Sequence, residues 1–197
     1  IVAPREVLAL RERNGRVTAV ETSAGALEAE EVVVAAGAGT AKLTAGLDFA
    51  PPLDAPPGLL ISSRPHARLL NGLVMSPCLH VRQTATGCLL AGADFGGSDP
   101  GGEAERAARE LFETMRGMLK DGNALEYSHH TVGFRPMPGD GYPIIGRVPT
   151  IDGLYLAVMH SGITLAPVVG MFAAEEILDG RRDPLLKPCG PERFAAK

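Results

Sequence analysis

The segment from Gly133 to Gly180 constrains this chain more than any other. It reads GFRPMPGDGYPIIGRVPTIDGLYLAVMHSGITLAPVVGMFAAEEILDG. An arginine-bearing loop leads into an apolar strand, Leu154 to Met159. The turn His160-Ser161-Gly162 follows, and a nearly all-apolar helix then runs to a glycine stop at Gly180. A strand that feeds a helix N-terminus through a Ser-Gly turn makes an anion-binding corner. The first N–H groups of the helix lack intrahelical acceptors, and the dipole favours negative charge there. The helix is expected to begin near Thr164. That start aims the N–H groups of Gly162, Ile163 and Thr164 past the strand end. It also leaves Pro167 in the first turn, where a missing donor costs little. A helix simply docked on a sheet would give the same pattern, so the residues alone leave both readings open.

Upstream, EVLAL (residues 6–10) reads as a short strand and Asn14-Gly15 as a tight hairpin turn. Arg16 to Thr22 alternates as the returning strand, and Ala26 to Glu30 pairs back after Ser23-Ala24-Gly25. Val32 to Ala36 is a continuous apolar run, the pattern of a strand buried on both faces of a parallel sheet. It ends at Gly37-Ala38-Gly39, where backbone can approach a ligand closely, although turns need glycine too. APPLDAPPG (residues 50–58) is a proline-rich connection, a plausible crossing between domains. Residues 59–93 read as an antiparallel sheet with one polar face. Glu103 to Lys120 is an amphipathic helix, with Asp99 and Pro100 as start signals. Sheets of two kinds interleaved along one chain predict two interlocked domains: residues 1–50 with 134–197, and residues 51–133.

Aromatics make up 5% and tryptophan is absent, so the core must be aliphatic. A net charge of -4 argues against a nucleic-acid surface. Cys78, Cys88 and Cys189 form no CxxC pair and read as free thiols of a reducing compartment, so a cytoplasmic location is expected. No apolar run approaches the ~20 residues of a membrane span, and no signal peptide is visible. The five histidines show no metal spacing. GxSxG, GxxxxGK[ST] and GxGxxG are all absent. Arg135, between Phe134 and Pro136, is placed to grip a carboxylate through two parallel hydrogen bonds, or to form an ion pair, for instance with Asp140. His160 and the pair His129-His130 read more simply as packed residues.

EVLAL, NGRVTAVETSAG, EEVVVAAGAG, GFRPMPGDGYPIIG and HSGITLAPVVG, in this order, resemble the C-terminal half of the D-amino-acid oxidase type of FAD-dependent oxidoreductases. Glycine oxidase, sarcosine oxidase and the small subunit of D-amino-acid dehydrogenases are of this type. The resemblance covers nearly the whole chain and is weaker in the middle. It implies an α/β fold: part of an FAD-binding Rossmann-like domain interleaved with an antiparallel-sheet substrate domain. By resemblance, the backbone of Val7 meets the adenine of FAD, and Ala36 and Gly37 pass close to the ADP portion. Arg135 would bind the substrate carboxylate. His160 and Ser161 would lie where the chain reaches the flavin ring. Gly162, Ile163 and Thr164 would direct their N–H groups at the flavin N1–C2=O edge. The activity implied is oxidation of the C–N bond of an amino acid or secondary amine, with hydride passing to flavin N5.

Three departures qualify the resemblance. The GxGxxG unit that holds the pyrophosphate is absent, so the chain reads as a C-terminal portion that needs a missing N-terminal half or partner chain to hold FAD. Ser161-Gly162 stands where some glycine-oxidase-like members carry a second arginine, which fits a broader or different amine substrate. No cysteine lies between Cys88 and Cys189, so a covalent flavin link near the arginine loop is not expected. The rival expectation is a non-catalytic fragment or interaction subunit that binds no flavin by itself. Hydroxy-acid oxidation on the same fold is a third.

Overall fold

The structure, a computed structural model, describes residues 1–93 and 99–195. The chain opens with β1 (Val7–Arg13), β2 (Arg16–Thr22) and β3 (Gly25–Glu28), an antiparallel meander in that spatial order. Asn14 and Gly15 both take positive φ, 54° and 76°, as the tightest hairpin turn demands. β2 buries Val17, Ala19 and Thr22. β4 (Val32–Val34) follows, then a single 3-10 turn at Gly37–Gly39, α1 (Thr40–Thr44) and β5 (Leu53–Asp54).

The next strands are β6 (Pro57–Ser63), β7 (Leu73–Met75), β8 (His80–Gln83) and β9 (Leu89–Gly92), followed by α2 (Ala104–Met118) and β10 (Tyr127–Phe134). They form a five-stranded antiparallel sheet ordered β10-β6-β9-β8-β7. α2 lies on one face, where Ala108, Phe112 and Met115 pack with Leu59, Ile61, Leu79, Val81 and Leu89. The helix is shorter than its sequence pattern predicts. Glu103 occupies the N-cap position, and the side chain of Asp99 instead accepts a hydrogen bond from the N–H of Gly101, closing a turn upstream.

The chain returns through β11 (Met137–Pro138), which pairs with β5, then β12 (Ile144–Arg147), β13 (Leu154–Val158) and α3 (Gly162–Asp179). β13 runs antiparallel to β12 and parallel to β4, giving a three-stranded sheet ordered β12-β13-β4. One face of this sheet contributes Val32, Val34, Ile144, Leu154, Leu156 and Val158 to a core with Val17. The opposite face presents Ile145 and Tyr155 to Val169, Phe172 and Ala173 of α3. Two compact units result, Ile1–Ala55 with Pro136–Lys197, and Pro56–Arg135.

Two expectations change. The apolar run Val32 to Ala36 is a strand for only three residues, and it is not buried on both faces: Val33 is 46% exposed. β4 ends the order of its sheet, and among the described residues no strand pairs with its far edge. α3 begins at Gly162 rather than near Thr164. Pro167 therefore sits in the second turn, where its missing donor leaves a carbonyl of the first turn without its helical partner.

Candidate functional site

β13 is buried except at the partly buried Ala157 and delivers Met159 into the core with α3. The turn that follows is set by Ser161, whose φ of 61° is uncommon for a residue with a side chain. This left-handed step reverses the chain and starts α3 at once. Ser161 is the N-cap, but its hydroxyl does not cap the helix. It lies 2.8 Å from Nδ1 of His160, holding the half-buried imidazole. The N–H groups of Gly162, Ile163 and Thr164 are thus the first three of the helix, with no side-chain cap. All three residues are exposed. The corner consists of three converging backbone donors, the positive end of an 18-residue helix, and an imidazole tied by a neighbouring hydroxyl. Such a corner can bind a negative or strongly accepting group.

In the same unit, Val7 begins β1, Ala36 is exposed after β4, and Gly37 opens the 3-10 turn with φ of 55°. A Cβ added at Gly37 would meet nothing closer than Pro136 Cγ at 3.9 Å, so the backbone here is open to close approach. Arg135 belongs to the other unit. It follows the end of β10, and its N–H donates to the Pro56 carbonyl at 3.3 Å. Asp140, the partner considered for Arg135, is held by an arginine of its own unit. Arg193 binds Asp140 through both carboxylate oxygens, at 2.7 and 3.1 Å, and donates to the Tyr142 carbonyl. This pairing holds the Asp140 carboxyl below its ordinary pKa.

Two polar clusters were not foreseen. Glu176, 7% exposed inside the apolar helix α3, accepts from Arg182 Nη1 at 2.9 Å and from the Tyr155 hydroxyl at 3.1 Å. Arg182 also donates to the carbonyls of Ile145 and Leu186. Burial, and then the Glu176 charge, push the Tyr155 phenol up. The sequence shows only Glu175 and Glu176 in an otherwise apolar stretch of the helix, with nothing to mark Glu176 as the buried one. In the other unit, Tyr127 OH lies 2.8 Å from His130 Nδ1, which faces Glu105 at 3.2 Å, while Arg109 stacks over the Tyr127 ring at 4.9 Å. This cluster ties α2 to β10, so His130 is neither isolated nor purely apolar in its packing.

Among the described residues no group of His, Cys, Asp or Glu could hold a metal, and no helix is long and apolar enough to cross a membrane. The donor set at α3 fits one edge of a flavin ring, whose N1–C2=O side takes up negative charge on reduction. The chain contains no GxGxxG, the motif that holds the pyrophosphate in dinucleotide-binding folds.

The model of the FAD dependent oxidoreductase family matches residues 1–176. A glycine oxidase of Pseudomonas aeruginosa is 30% identical over 179 residues, which are 88% of this chain and 48% of that protein. A D-amino acid dehydrogenase of Cereibacter sphaeroides is 28% identical, over 95% of this chain and 44% of its own length. Among solved structures, glycine oxidase from Geobacillus kaustophilus superposes with a TM-score of 0.75 at 25% identity, over 94% of this chain and 51% of that one. L-proline dehydrogenase from P. horikoshii gives 0.80 at 23% identity, over 96% and 54%, a likeness of fold. The chain spans about half the length of the relatives it matches. It belongs to the FAD dependent oxidoreductase family.

Proposed function

We propose that this chain supplies the flavin-edge and substrate-binding parts of an FAD-dependent oxidoreductase that oxidises the C–N bond of an amino acid or secondary amine. The observation that carries the reading is the uncapped, exposed N-terminus of α3 at the end of a buried strand, in a chain of this family. Bound FAD would supply the two-electron acceptor. The N–H groups of Gly162, Ile163 and Thr164 hold the ring edge and stabilise the charge that develops there, where preorganised donors act most strongly. Ser161 fixes the imidazole of His160 at the mouth of the helix. Arg135 binds the substrate carboxylate and so orients the α-carbon. The amine need only be neutral when the bond is oxidised, so no protein base is assigned. The unit Ile1–Ala55 with Pro136–Lys197 serves the cofactor and Pro56–Arg135 the substrate. The pyrophosphate is held by a polypeptide segment outside this chain.

The flavin midpoint potential tests the reading. In the flavin-loaded full-length parent, Thr164→Pro removes one donor at a position where the helix itself needs none. The potential is expected to fall by about 30 mV, equivalent to about 1.4 kcal/mol for one lost charge-assisted hydrogen bond. An unchanged potential contradicts the placement of α3 at the flavin.

A further inference from the structure

Oxidation of a C–N bond needs a neutral nitrogen, and an amino acid near neutral pH carries an ammonium instead. That proton has to leave, and the corner at α3 holds one side chain able to take it. His160 follows β13 and stands beside the first N–H groups of the helix. Its imidazole is half-buried, neither lost in the core nor free in solvent. Nδ1 lies 2.8 Å from Ser161 Oγ. A serine at an N-cap normally accepts from an N–H of the first turn, and Ser161 does not. Its hydroxyl is turned to the ring, at a residue whose left-handed φ of 61° serine seldom adopts. A diverted cap and an uncommon backbone angle thus serve one orientation of one imidazole. The other titratable groups of the elements packed here are committed elsewhere. Tyr155 of β13 is buried and bonded to Glu176, which also holds Arg182. Arg147 of β12 binds Glu31, and Cys189 is buried in the cluster that contains Met159. Glu175 and Asp179 lie in the last two turns of α3, far from its start. Among the described residues His160 forms no ion pair; the histidine that does is His130, with Glu105, in the other unit.

We propose that His160 is the proton acceptor for the substrate ammonium. The Nδ1–H donates to Ser161 Oγ, which leaves the Nε2 lone pair open to the substrate. One N–H bond of the ammonium breaks, its electron pair stays on the substrate nitrogen, and the proton goes to Nε2 and from there to solvent. Ser161 is the positioning residue that selects this tautomer. The inference rests on the reading of the α3 corner as the flavin site. The opposite arrangement has Ser161 donating to Nδ1 and Nε2–H pointing outward. It would make His160 a donor to an anionic group and not a base.

Two measurements test it, and the first needs no flavin. Nitrogen NMR of the imidazoles, with the His160 signals identified by their loss in His160→Gln, should show the Nδ1–H tautomer, and Ser161→Ala should abolish that preference. The same variant should leave the thermal midpoint within about 1 °C, whereas loss of a working cap would lower it by about 2–4 °C. The second measurement is the rate of flavin reduction by an amino acid in the flavin-loaded protein. Near neutral pH, His160→Gln should lower it about a hundredfold and Ser161→Ala about tenfold. Both losses should vanish at about pH 10, where the substrate supplies its own neutral amine. Ser161→Asn tolerates the left-handed turn and offers a carbonyl acceptor, so it should restore most of the rate. Should His160→Gln fail to fold, Ser161→Ala, at an exposed position, carries the same pH test. An Nε2–H tautomer, a loss that is equal at every pH, or a loss confined to substrates with a carboxylate would each overturn the proposal. Reduction by amines that His160→Gln leaves unchanged removes the base and keeps the flavin reading. No reduction by any amine removes both.

Discussion

Glu176→Ala is expected to lower the stability of the unit that contains α3 by about 3 kcal/mol, a fall of about 10 °C in its thermal midpoint. Glu176 is the acceptor for both Arg182 and Tyr155, and it is itself buried. Removing it leaves Nη1 of Arg182 and the Tyr155 phenol without this acceptor beside a cavity, while Nη2 keeps the Ile145 and Leu186 carbonyls and Glu192 at 3.6 Å. The site is built for this ion pair. Gly146, with φ of 141°, lies where a Cβ would come 2.5 Å from Arg182 Nη1, so glycine makes room for the guanidinium. The pair in turn fixes the C-terminal half of α3 to the loop after it, through the Leu186 carbonyl. Glu176→Gln keeps the shape and one acceptor, and should cost less than half as much. Thermal melts of the three proteins followed by circular dichroism decide the matter. A loss under about 1 kcal/mol for Glu176→Ala would mean that the network is solvated and contributes little.

In a flavin-loaded preparation of the protein, Arg135→Leu is expected to raise KM for amino-acid substrates by about a hundredfold, from the loss of two charge-assisted hydrogen bonds worth roughly 1.5 kcal/mol each. An amine substrate without a carboxylate should be affected little, which separates a lost clamp from a damaged site. Arg135→Lys keeps the charge but not the planar fork, and should fall between. Equal losses for substrates with and without a carboxylate would count against the clamp.

The elements that the sequence announced are those with a short-range cause. Asn14-Gly15 dictates the hairpin, the alternation of Arg16 to Thr22 its returning strand, and the period of residues 104–118 the amphipathic helix. The helix stop at Gly180 is equally local, a left-handed glycine with φ of 67°. What the sequence hid depends on distant partners. The apolar run at Val32 to Val34 looks the same whether its strand is central or at an edge, so the exposure of Val33 was invisible. The start of α3 shifted because Ser161 adopts a left-handed turn that a serine rarely signals. The Glu176–Arg182–Tyr155 network joins residues that no spacing rule connects, and Asp140 is bound by Arg193, 53 residues away. The helix corner itself was legible as strand, small-residue turn and helix. Its assignment to a flavin edge came from the family resemblance.

Anaerobic mixing of the flavin-loaded protein with amino acids and secondary amines tests the central claim most directly. The visible flavin absorbance band should bleach with a substrate of this class, and an imine-derived carbonyl product should appear together with ammonia or a primary amine. Absence of bound flavin, or bleaching by a 2-hydroxy acid but by no amine, would contradict it.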